Sequence, residues 1–73
     1  MPQVPLLKPK SVIKVFKKYG WVVARSSGSH IILTKEGNIA TLSVPNHSEV
    51  ARGTLRSLIE KSGLTVEEFL NEL

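Results

Sequence analysis

Apolar and polar positions along the 73 residues follow two periods, and the change between them divides the chain. Val12, Ile13, Phe16 and Tyr19 form one stripe at helical spacing, and Lys10, Lys14, Lys17 and Lys18 lie mainly off it. Pro9 suits the first turn of that helix, where a missing N–H costs nothing. The helix therefore runs from about Pro9 through Ser11–Tyr19, and Gly20 stops it. "WVVAR", Trp21–Arg25, is short, apolar and β-branched, the composition of a strand. "SSGS" reads as a turn with Gly28 at a positive φ. "HIILT", His30–Thr34, is the returning strand. "KEGN" turns again, "IATLSV", Ile39–Val44, is a third strand, and Pro45 closes it.

Helical spacing then returns. Ala51, Leu55, Leu58, Ile59 and Ser62 predict a helix over Arg52–Ser62, with the poor helix former Gly53 confined to its first turn. Gly63 ends it. Thr65 and Glu68 have the spacing of a capping box, followed by Val66, Phe69, Leu70 and Leu73 on one face of a last short helix. Residues 1–8 form an irregular N-terminal arm containing Pro2 and Pro5, and residues 1–73 make a single domain.

The order α-β-β-β-α-α predicts an α+β fold: a three-stranded antiparallel sheet with the helices on one face, in two layers. Three strands are too few for a sandwich. The other face is then bare. Apolar residues nevertheless occupy both parities of the strands (Val22 with Val23, Ile31 with Ile32), and period two sends these to opposite faces. The expectation is that the open face meets a protein partner.

Charge adds a second asymmetry. The net charge is +4, yet residues 1–35 carry seven basic side chains and no acid, while residues 36–73 carry three basic and six acidic ones. A basic half points to a polyanion, most simply nucleic acid. No cysteine is present, which excludes a disulfide framework and a thiolate metal site and fits a reducing compartment. No apolar run reaches the roughly 18 residues of a membrane span, and "MPQVPLLKPK" lacks the apolar core of a signal peptide. A soluble cytoplasmic protein is expected, with no cofactor.

Candidate chemistry is sparse. There is no phosphate-binding glycine loop. His47 and Glu49 make a poor metal pair, so no metal is expected. His30 opens the second strand beside a glycine turn, and an imidazole can take or give a proton near neutral pH. Ser29 and His30 are not a catalytic triad, since adjacent residues on a strand point to opposite faces.

Read in order, "FKKYGW", "SSGSH", "IILT", "VPNH" and "GTLRSLIEKSGLTVEEFL" resemble the HicA family of bacterial toxins, which are small mRNA interferases. The resemblance covers about Leu6–Leu70. It implies a fold similar to a double-stranded-RNA-binding domain, the toxin role in a toxin-antitoxin system, cleavage of single-stranded mRNA without a metal, and a HicB-type antitoxin as partner. It makes His30, in Gly-Ser-His, the catalytic histidine, with Gly28 and Ser29 in the matching turn. Ile31 departs from the polar or aromatic residue that often follows the motif, and the N-terminal arm is longer than in the family pattern. On physical grounds Arg25 would steady charge on phosphorus, and Lys10, Lys14, Lys17 and Lys18 would hold the RNA backbone. The role of His47 and the donor to the leaving group stay open. The alternative is a non-catalytic RNA-binding module of the same fold.

Overall fold

The computed structural model describes residues 3–73; Met1 and Pro2 of the expected arm lie outside them. Its elements are α1 (Pro9–Lys18), β1 (Val22–Ser27), β2 (His30–Thr34), β3 (Leu42–Pro45), α2 (Arg52–Ser62) and α3 (Val66–Asn71). The strands form one antiparallel sheet in the order β1-β2-β3. This is the α+β arrangement that the pattern predicts.

The end of α1 shows how local chemistry sets the fold. Gly20 has φ +97°, a region that L side chains avoid. Its N–H donates to the Lys17 carbonyl at 3.1 Å, and the Trp21 N–H donates to the Phe16 carbonyl at 3.1 Å. Those two bonds are a Schellman motif. The apolar contact that usually accompanies one is Phe16 against Trp21, edge to face with ring centroids 6.5 Å apart. Phe16 also meets Phe69 of α3 at 5.2 Å. The helix stop therefore places three aromatic rings at the centre of the core. Trp21 is buried before β1 begins, and its indole N–H has no partner among the described residues. An unpaired donor of this kind costs about 1–3 kcal/mol, which the burial of its ring offsets.

Around these rings pack Val12 and Val15 of α1, Leu33, Leu42 and Val44 of the sheet, and Leu55 and Ile59 of α2. Truncating one of the aromatic rings to alanine would cost ~3–5 kcal/mol. That approaches the whole stability of a domain this small. The α3 start carries the expected capping box: the Thr65 hydroxyl accepts from the Glu68 N–H at 3.1 Å, and the Thr65 N–H donates to the Glu68 carboxylate at 2.9 Å.

Two expectations are corrected, and one is extended. The third strand begins at Leu42, not Ile39. The Asn38 carboxamide accepts the Ala40 N–H at 2.9 Å, which prolongs the turn and leaves Ile39 fully exposed. The first hairpin turn is two residues, Gly28-Ser29, so Ser26 and Ser27 belong to β1. Gly28 has φ +37° and Ser29 a negative φ, the sign pattern of a type II′ turn, which matches strand twist. The arm is irregular but docked: Val4 is buried, the Val50 N–H donates to the Leu7 carbonyl at 2.7 Å, and the Arg52 guanidinium donates to the Val4 carbonyl at 3.1 Å.

Candidate active site

Strand register decides which side chains share a face. Directly paired residues across strands lie on the same face, and faces alternate along each strand. Buried Leu33, Leu42 and Val44 mark the helix-covered face, which Ile31 and Ser26 share through their pairings. The open face therefore carries His30 with Ser27 and Pro45, then Ile32 with Arg25 and Ser43, then Val22 with Thr34.

A bulge between Val23 and Arg25 inserts Ala24 and restores Val23 to the covered side, opposite Leu33. The bulge is why Val23 and Arg25, two residues apart, face opposite sides; Val22, one residue before Val23, stays on the open face. The covered side is nevertheless thinly covered there. Both long helices pack on β3, and every residue of β1 is exposed, Val22 at 57% and Val23 at 42%.

His30 is exposed at the first position of β2. Its Nδ1 stands 3.1 Å from the Ser29 hydroxyl. The expectation that these neighbours diverge fails because Ser29 is in the turn, where strand alternation does not apply. The Ser29 carbonyl accepts the Asn46 N–H at 2.7 Å, so the turn is pinned to β3 just past Pro45. Backbone bonds hold the turn and a hydroxyl holds the ring. Nε2 is left as the nitrogen available to a substrate.

The other predicted residues separate into three groups. Arg25 is on the face of His30, but Ser27 stands directly across from the histidine, and Arg25 is one pair further along. Diagonal neighbours of this kind are about 7–8 Å apart, within reach of a guanidinium. Lys10, Lys14 and Lys17 line a groove of about 500 Å³ between α1 and the hairpin, together with Ile13, Val23 and Ser26. The groove continues past Ile31 to Asn46, so it ends beside the Gly28-Ser29 turn on the side of the sheet opposite His30. Lys18 belongs to neither group. Its ammonium donates to the Glu72 carbonyl at 3.0 Å and lies 3.9 Å from the Glu72 carboxylate, tying α1 to the chain end.

Sequence reasoning missed the groove floor and Asn46. The apolar floor has no motif, although Asn46 could have been found from Pro45 ending the strand beside the turn. Among the described residues no three histidine, cysteine or acidic side chains cluster as a metal site. Among the described residues no helix is long and apolar enough to cross a membrane.

An exposed histidine stands pinned at the rim of a bare sheet face in a small basic α-β-β-β-α-α domain, an α+β protein with a candidate imidazole site. Residues 9–64 match the family model described as the HicA toxin of bacterial toxin-antitoxin, and the chain belongs to this HicA toxin family. No curated protein matches it.

Proposed function

We propose that this toxin is a metal-independent endoribonuclease that cleaves single-stranded mRNA, with His30 as general base. The observation that carries the reading is the Ser29–His30 contact at 3.1 Å. With Nδ1–H donating to the Ser29 oxygen, Nε2 holds a lone pair. That nitrogen takes the proton of a ribose 2′-hydroxyl, the 2′-oxygen forms a bond to phosphorus, and the bond to the 5′-oxygen breaks. The products are a 2′,3′-cyclic phosphate and a 5′-hydroxyl. A base placed in this way is worth typically 10²–10⁴-fold.

Arg25, on the same face, supplies fixed positive charge for the phosphoryl oxygens. The groove of Lys10, Lys14 and Lys17 holds flanking phosphates, so the strand passes over the Gly28-Ser29 turn from the lysines to the histidine. Phe16, Trp21 and Phe69 are spent in the core, which leaves little aromatic surface for stacking bases. Low sequence selectivity follows. A HicB-type antitoxin silences the enzyme by covering the open face, where exposed Val22 and half-buried Ile32 adjoin Arg25 and His30. The working compartment is the cytoplasm, where mRNA is found.

The test is cleavage of single-stranded RNA in chelator by the purified protein and by His30→Ala. Cleavage by the parent alone, leaving 2′,3′-cyclic phosphate ends, is expected. RNA binding without cleavage by either protein would replace the enzyme with a binding module.

A further inference from the structure

One proton remains unassigned in that reaction. The departing 5′-oxygen is a poor leaving group as an alkoxide and needs a proton as its bond to phosphorus breaks. We propose that His47 supplies it, so that two histidines share the cleavage, one at the start of β2 and one just past the end of β3. The inference rests on the RNA-cleaving reading of His30.

The placement comes from the backbone. His30 pairs directly with Pro45 across the ladder. Pairing continues one residue beyond the strand, where the Asn46 N–H donates to the Ser29 carbonyl at 2.7 Å. The chain then bends over residues 47–49, and His47 is the first residue of the bend. Paired Cα atoms are about 5 Å apart, and two residues of extended chain add at most about 7 Å. His47 Cα is thus within about 12 Å of His30 Cα. Both rings are exposed, and a phosphodiester bound at this rim is open to both.

Chemistry narrows the donor further. Arg25 shares the face of His30, but a guanidinium keeps its proton. Lys10, Lys14 and Lys17 line the groove on the far side of the sheet, away from the face of His30. An imidazole can give a proton near neutral pH and is the best matched acid among these groups. The proton balance closes: His30 gains the 2′-proton, His47 loses one to the 5′-oxygen, and solvent resets both.

A substrate that needs no leaving-group proton separates this role from all others. In a dinucleotide with sulfur in place of the bridging 5′-oxygen, the thiolate departs unprotonated. The parent, His47→Gln and His30→Ala would be compared on this linkage and on the ordinary one. His47→Gln is expected to lose about 10²-fold or more in kcat on the ordinary linkage. It should come within about tenfold of the parent on the sulfur linkage, and the alkaline limb of its pH–rate profile should vanish. His30→Ala should stay defective on both. Recovery on the sulfur linkage also shows that His47→Gln is folded. The assignment is overturned if His47→Gln cleaves the ordinary linkage as fast as the parent, or if it is equally impaired on both linkages. A parent that cleaves neither linkage overturns the nuclease reading itself, and the assignment with it.

Discussion

The hydroxyl of Ser29 is 3.1 Å from Nδ1 of His30, a contact between sequence neighbours that exists because one is the last residue of a turn and the other the first of a strand. A hydroxyl can accept from Nδ1–H in both the neutral ring and the imidazolium. It therefore orients the ring throughout a proton-transfer cycle without adding charge. Ser29→Ala removes one neutral hydrogen bond, worth about 0.5–1.5 kcal/mol. The expected result is a roughly two- to tenfold loss of kcat, with RNA affinity unchanged. An unaltered kcat would show that the contact does not orient the base.

The lysine groove is expected to register as salt dependence. Each phosphate neutralised on a single strand adds about −0.7 to the slope of log K against log salt. Replacing Lys10, Lys14 and Lys17 together with glutamine should flatten that slope by about 2 and raise KM with little change in kcat. Lys18→Gln, whose ammonium is held by Glu72, should change the slope far less. Equal effects from Lys18 and the groove lysines would argue for diffuse attraction over a bound strand.

Gly20 carries the turn into the core. A left-handed conformation costs an L side chain about 1–2 kcal/mol, or roughly 4–16 °C in melting temperature for a domain of this size. Gly20→Ala should show that loss by thermal denaturation. A Cβ at this position would meet only the Lys35 side chain, at 3.3 Å, and that chain can move aside. The penalty is therefore one of backbone conformation, and Gly20→Asn should recover part of it.

Tyr19 links the fold to alkaline pH. Its hydroxyl donates to the Glu68 carbonyl at 2.8 Å. Burial, then the Glu72 and Glu68 carboxylates, raise its pKa above the ordinary 10.0. A raised folded pKa means that this contribution is complete below the unfolded value and is lost as pH rises through the folded one. The chain has one tyrosine, so phenolate absorbance reports it alone, and its midpoint should exceed that of free tyrosine. Thermal stability should fall above about pH 10, and less steeply in Tyr19→Phe.

Where a side chain's fate depended on near neighbours in sequence, the pattern was readable. The stripe of α1, the stop at Gly20, the bounds of α2 and the Thr65–Glu68 box follow from spacing and capping chemistry alone. Val15 escaped the stripe although it is buried, because α1 is enclosed more widely than one face. The start of β3 was misplaced because Ile39 has strand chemistry but no partner: β2 ends at Thr34, and pairing with β3 begins at Leu33–Leu42. The candidate site was legible as a residue, His30, and not as an arrangement. The bulge at Ala24, the pinning of Ser29 by Asn46 and the separation of the lysines from the histidine by the sheet all depend on cross-strand register. No local pattern encodes that register.

The bare first strand has a consequence for how this sequence can change. No side chain of β1 is buried, so folding places almost no constraint on Val22, Arg25, Ser26 or Ser27 beyond a tolerance for extended backbone. Whatever selects these residues acts from outside the domain, through the molecule laid against them. Diverging copies of such a protein could exchange one binding partner for another by rewriting this strand, while Phe16, Trp21 and Leu33 keep the same fold beneath it.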